Sequence, residues 1–173
     1  MFKKIFLLTF LCLINFQHSF AFPSQLSTQY VKEPVNVGSA TLKFLFWPIY
    51  KAELYAANAE FDFEQPFILR LTYKFAISKE DIVEASLKEI KRQAEFSEEQ
   101  LESWERKLTK VIPDVAKNDS IYGIKYKGRL ILIKDEKLIA DIKDAELAKR
   151  FFAIWLGENT SKPKLTKKLL GQS

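Results

Sequence analysis

The stretch Asp144–Gly157, DAELAKRFFAIWLG, constrains the fold more than any other part of the chain. Its first turn is polar and its last two turns are almost wholly apolar. Asp144 suits an N-cap, Glu146 sits favourably in the first turn, and Gly157 falls where a left-handed C-cap is expected. Leu147, Phe151 and Trp155 share one stripe at i, i+4 and i+8, with Ala148 and Phe152 beside it. Ile154 and Leu156 carry the apolar surface further round. A helix of this kind is buried on most sides, so the remaining chain is expected to fold around it.

The segments before it supply a sheet and a cover. Ala40, Leu42, Phe44 and Phe46 alternate with Thr41 and Lys43, which predicts a strand with one apolar face, broken at Trp47-Pro48. Tyr50, Ala52, Leu54 and Ala56 form the inward set of a second strand. Phe67, Leu69, Leu71, Tyr73 and Phe75 form that of a third. Three alternating strands with short connections predict an antiparallel sheet whose apolar face is covered. Ser78 to Asp81 opens a helix with Val83, Leu87, Ile90 and Ala94 on one stripe. Ser97 with Gln100 reads as a capping box for a second helix, carrying Leu101, Trp104, Leu108 and Val111 and stopped by Pro113. Three short strands are predicted at Ser120–Lys127, Leu130–Lys134 and Lys137–Asp141. After the core helix, Pro163 starts a short terminal helix that Gly171 ends. The class is α+β, with a large antiparallel sheet and helices packed on one face.

The first residues read as an export signal. Lys3 and Lys4 form a positive n-region, Ile5–Phe16 is apolar apart from Thr9 and Asn15, and Ser19-Phe20-Ala21 offers a cleavage site. The apolar run is too short to span a bilayer. The expectation is a leader over residues 1–21, one domain over residues 22–173 and a periplasmic location. The single Cys, His and Met of the chain are Cys12, His18 and Met1, all within that leader. Disulfides, thiolate or imidazole metal sites and His-dependent nucleophilic catalysis are therefore excluded from the mature domain. Any catalysis must use carboxylates, Tyr, Lys, Arg or backbone groups. The chain has 27 Lys and Arg against 22 Asp and Glu, with no dense cationic cluster among stacking aromatics, so nucleic acid is not an expected partner. No cofactor motif is present. Asp114, Asn118 and Asp119 lack the alternating oxygens and glycine of a calcium loop and read as a turn.

Two features invite a ligand. With the early strands in register, Thr41, Lys43, Lys51, Glu53, Arg70, Thr72 and Lys74 share the non-core face. A carboxylate or phosphate head group fits such a face, with Arg70 as a planar fork and Thr72 as a hydroxyl beside it. A solvated face of cross-strand ion pairs is the alternative. Aromatics are dense from Phe44 to Phe75, and Tyr50 and Tyr73 could wall an apolar pocket or belong to a plain core. Arg70, Thr72, Lys43, Tyr50 and Tyr73 are thus the candidate ligand-binding residues. No catalytic or metal-binding set is assigned.

Several segments together carry a resemblance. They are Val37-Gly38-Ser39-Ala40, Trp47 to Tyr55, Leu69 to Tyr73, Trp104, Pro113-Asp114-Val115, Asn118-Asp119, Phe151 to Gly157 and Leu169-Leu170-Gly171. The chain resembles the chalcone isomerase-like proteins exported by bacteria, with Asn118 standing where that family usually has glycine. The resemblance implies a large antiparallel sheet backed by helices, as in the plant enzyme that cyclises chalcones. It does not carry over that enzyme's catalytic residues. The arginine position falls near Val37-Gly38 and the threonine near Trp47-Pro48, while the tyrosine and asparagine fall in Ser78–Leu87, which contains neither. The fatty-acid-binding relatives of this fold keep the arginine. The leading expectation is a non-catalytic exported protein that binds a small apolar or fatty-acid ligand. The alternatives are a periplasmic structural or partner-binding module, and an intramolecular lyase or isomerase using Tyr, Lys or Arg.

Overall fold

The computed structural model describes residues 29–172, so the leader read at residues 1–21 and its cleavage point lie outside the described residues. Six strands form one sheet in the order of the chain: β1 (Val35–Phe44), β2 (Trp47–Ala56), β3 (Phe67–Tyr73), β4 (Ser120–Tyr126), β5 (Arg129–Lys134) and β6 (Lys137–Ile142). Every neighbouring pair is antiparallel. The helices are α1 (Lys79–Lys91), α2 (Glu98–Val111), α3 (Ala145–Leu156) and α4 (Pro163–Leu169). The α+β class with an antiparallel sheet backed by helices is what the sequence predicts.

The cap chemistry reads through into structure. Ser78 accepts from Asp81 N and Ser97 from Gln100 N, both at 3.2 Å. Asp144 caps α3 by accepting from Leu147 N at 2.9 Å. Its second oxygen takes Lys107 Nζ at 2.6 Å and Trp104 Nε1 at 3.3 Å, so one carboxylate also ties α2 to the start of α3. Leu147, Ala148, Phe151, Phe152, Trp155 and Leu156 of α3 are all buried, as the all-round apolar pattern demands.

One row of residues crosses the helix-bearing face of the sheet: Gly38, Leu54, Leu69, Gly123, Leu132, Ala140. The small members are where helices seat. A side chain at Gly38 would meet the carbonyl oxygen of Leu169 at 2.6 Å, so the end of α4 lies directly on β1 backbone. Gly123 receives the ring of Phe152, whose other face meets Phe67 edge-on at 4.9 Å.

Five local expectations are corrected. The β1–β2 turn is Leu45-Phe46, and Trp47-Pro48 opens β2 instead of breaking a strand. A register shift between Leu42 and Lys43 absorbs Pro48, whose missing N–H suits an irregularity beside an edge strand. Phe46 and Phe75, read as inward, are exposed, because one lies in the turn and the other beyond the end of β3. α1 ends at Lys91, leaving Ala94 exposed in the following turn. Gly157 is extended (φ −85°, ψ 161°) and not left-handed. Glycine is needed there for space, since a Cβ would stand 2.7 Å from the carbonyl oxygen of Ala153. Asn118 adopts φ 72°, a left-handed conformation that asparagine tolerates better than most residues.

The second face of the sheet is only partly solvated. Val31 packs there on Ile68, Ile124, Ile131 and Ile133, with Tyr30, Tyr55, Tyr122 and Tyr126 around them. The unbroken run Leu130–Ile133 is what a strand buried on both faces requires.

Candidate functional site

The core between sheet and helices does not close completely. A cavity of about 470 Å³ lies under β1–β5, roofed by α1, α3 and α4. Its sheet wall includes Leu42, Tyr50, Leu69, Leu71 and Tyr73, and Phe151, Phe152 and Trp155 of α3 face them. The α3 helix contributes these rings because its apolar surface exceeds what the sheet alone can cover. The rim is different in character. Asp81, Ala85, Lys88 and Glu89 of α1 stand near Ser161 and Lys162 of the α3–α4 connection, and Phe44 and Ile49 complete it from the hairpin. Ala85, Lys88, Lys162 and Phe44 are exposed, which identifies this side as the mouth.

Two phenols supply polarity inside. Tyr50 accepts a hydrogen bond from Trp155 Nε1 at 2.9 Å, joining β2 to α3 across the cavity. Tyr73 sits edge-on to it with ring centres 6.0 Å apart, and its hydroxyl has no hydrogen-bond partner among the described residues. Burial pushes the Tyr50 phenol up to about 12, against the lowering effect of the Trp155 bond and with a smaller rise from the Glu89 charge. Burial, with a further contribution from Tyr50, also pushes Tyr73 well above the ordinary tyrosine value. Both are neutral hydrogen-bond donors at physiological pH and neither is a phenolate base. At the rim, Glu89 accepts from Ser161 at 2.7 Å, while Lys88 and Lys162 form no ion pair among the described residues.

The candidate residues of the sequence are parted by the sheet. Tyr50 and Tyr73 line the cavity; Arg70, Thr72 and Lys43 do not. Arg70 lies on the opposite face, donating to Ser120 Oγ through Nε at 3.3 Å and Nη2 at 3.2 Å. It stands 3.7 Å from Glu53 and over the Tyr122 ring at 5.5 Å. Thr72 shares the same Ser120 hydroxyl at 3.0 Å, and Lys51 pairs with Glu53 at 2.8 Å. Thr72 thus belongs to a cross-strand network with Arg70, whereas Lys43 is an exposed side chain near the hairpin end. Sequence reasoning did not bring Lys88, Lys162 and Ala85 together, because their convergence depends on how α1 and the α3–α4 connection sit over the sheet. It also took Trp155 as core alone, although its indole N–H is the polar link across the cavity.

The family model described as chalcone isomerase-like matches residues 31–171. A protein of Haemophilus influenzae, described as uncharacterized, is 23% identical over 138 residues, covering 79% of this chain and 68% of its own length. Among solved structures, a fatty-acid binding protein of Arabidopsis thaliana superposes with a TM-score of 0.61 at 13% identity, covering 81% of this chain and 88% of the plant protein. That likeness establishes the shared fold. Among the described residues, no helix is long and apolar enough to cross a membrane, and no group of three or more His, Cys, Asp or Glu could hold a metal ion.

Proposed function

The chain belongs to the chalcone isomerase-like family, and from that premise we propose that it is an exported protein binding a small apolar or acyl ligand in the cavity beneath α1, α3 and α4. The observation that carries this reading is the cavity itself. Its volume of about 470 Å³ falls in the range of roughly 300–1,000 Å³ typical of small-molecule sites, and its walls are apolar with few polar groups. The acyl tail lies against Leu69, Leu71, Phe152 and Trp155. Tyr73 donates to an oxygen of the ligand, and Lys88 and Lys162 balance negative charge at the rim. The fatty-acid binding of the Arabidopsis protein of the same fold supports the choice of ligand class.

Binding without chemistry is the simplest account of these groups. No arginine lines the cavity among the described residues, and both phenols facing it are held protonated. Chalcone cyclisation needs a stabilised phenolate and an electrophilic contact to the ketone oxygen. The purified protein is accordingly expected to leave the cyclisation rate at its buffer value. Export rests on the leader at residues 1–21, and N-terminal sequencing of the periplasmic protein should begin at Phe22.

Titration with a fluorescent fatty acid tests the binding reading. Wild type should bind saturably, and Ala85→Trp, at an exposed position of the mouth, should abolish binding while the melting temperature holds. Absence of binding by wild type, or equal binding by Ala85→Trp, would refute it.

A further inference from the structure

The β1–β2 hairpin ends in an apolar tip that is left exposed among the described residues. Phe44, Leu45, Phe46 and Trp47 are 69%, 77%, 90% and 73% exposed, four consecutive large apolar residues. The remaining exposed large apolar residues, Val35, Phe75 and Leu138, are separate in sequence. Phe75 nonetheless lies at the same end of the sheet, because Lys74 N donates to Ile49 O at 2.9 Å. A tight hairpin turn ordinarily selects Asn, Asp or Gly. Here Leu45 takes φ 54° in the left-handed region, where a leucine is unfavourable. Turn geometry has been subordinated to keeping apolar surface at the tip.

Two further observations say what the tip meets. From Thr41 to Ala52 there is no acidic residue; Lys43 precedes the apolar run and Lys74 lies beside it, while Lys51 beyond it is paired with Glu53. The tip is also continuous with the cavity mouth: Phe44 is both exposed and part of the lining, and the same rim carries Lys88 and Lys162 beside Asp81 and Glu89. Aromatic side chains with flanking cations match the interfacial zone of a bilayer bearing anionic head groups.

We propose that the Phe44–Trp47 tip inserts into the surface of an anionic phospholipid bilayer and seats the cavity mouth against it, so that an acyl ligand passes between membrane and cavity without crossing bulk water. The proposal rests on the ligand reading above. Affinity for the surface comes from the buried rings and the flanking lysines together, so it requires both an intact tip and anionic lipid.

Flotation with vesicles of equal parts phosphatidylcholine and phosphatidylglycerol, and with phosphatidylcholine alone, tests it. Wild type should float with the mixed vesicles and much less with the neutral ones. Of the three tryptophans, Trp104 and Trp155 are buried, so quenching by brominated phosphatidylcholine would report Trp47. Phe46→Ser with Trp47→Ser should lower partitioning by at least roughly tenfold. Neither residue lines the cavity, so fatty-acid binding in vesicle-free solution should be unchanged. Failure of wild type to float, flotation unaffected by the double substitution, or a tip-dependent dimer in sedimentation without vesicle binding would overturn the proposal. Loss of the ligand reading shows separately, as absent fatty-acid binding in the vesicle-free titration.

Discussion

Two adjacent tyrosines should respond unequally to the same substitution. Tyr73 lines the apolar cavity, and its hydroxyl has no hydrogen-bond partner among the described residues. Among those residues the fully buried side-chain atom left unpaired is Gln93 Oε1, so the Tyr73 hydroxyl is not sealed from the cavity space and carries no full desolvation cost. Tyr73→Phe removes that group and keeps the ring, so the ligand-free protein should change in stability by less than about 1 kcal/mol. Tyr50, whose ring centre is 6.0 Å away, accepts from Trp155 Nε1 at 2.9 Å. Tyr50→Phe leaves a buried indole N–H unpaired and should lose about 1–3 kcal/mol. Urea unfolding at constant m-value measures both, and at this chain length 1 kcal/mol is roughly 2–4 °C in Tm. Ligand affinity discriminates further. Tyr73→Phe should weaken fatty-acid binding by about 0.5–1.5 kcal/mol, the net value of a neutral hydrogen bond, while leaving stability nearly unchanged. Destabilisation by more than about 1 kcal/mol in Tyr73→Phe would mean its hydroxyl is satisfied in the free protein, and the reasoning would fail.

Other perturbations test the frame around the cavity. Phe152→Ala, at a fully buried ring contacting Phe67 and Gly123, should cost about 3–5 kcal/mol in denaturant melts. Arg70→Ala should leave fatty-acid affinity unchanged, because the sheet separates it from the cavity. It should also destabilise by about 1–3 kcal/mol in the same melts, by stripping Ser120 and Glu53 of a partner. Burial works to raise the Asp144 carboxyl, yet the bonds from Leu147, Lys107 and Trp104 hold it below the usual range. Its contribution is therefore present above the unfolded carboxylate pKa and lost as pH falls through the folded one; Asp144→Asn should flatten that acid limb of the stability curve. Tyr50 acts at the other end. Between the ordinary tyrosine value of 10.0 and about 12 the unfolded phenol ionises while the folded one stays protonated. Tyr50 should contribute up to about 3 kcal/mol to the fall in stability across that window, beside the share of Tyr73, and Tyr50→Phe should remove its own share only.

Much of the scaffold was legible because it is local. The helix starts at Ser78, Ser97 and Asp144 follow from side-chain oxygens three residues ahead of a backbone N–H, which sequence spacing displays directly. Period-two alternation located the early strands, and the all-round apolar turn of Phe151–Leu156 announced a buried helix. Errors collected where a local rule has two outcomes. Pro48 ends a strand or enters one beside a register shift, and only pairing with β1 decides. Gly157 is needed for a left-handed cap or for clearance, and only the position of the Ala153 carbonyl decides. Lys125 shares the parity of Ile121 and Gly123 and is buried on the core face, where the fold supplies its charge with a partner in Phe63 O at 2.6 Å.

The candidate site divides along the same line. Period two places Arg70 and Thr72 on one face and Tyr50 and Tyr73 on the other, so the sequence by itself determined which residues stand together on the sheet. It also determined that a domain free of Cys, His and Met must work with phenols, carboxylates and cations. Which face is sealed and which encloses space is not a property of any strand. That depends on how far α1 and the α3–α4 connection stand from the sheet once Phe151, Phe152 and Trp155 are seated. The distance is the sum of many side-chain volumes and contacts far apart in the chain, such as Trp155 with Tyr50. Only the tertiary structure performs that sum, and so it alone decided that the tyrosine face holds the cavity.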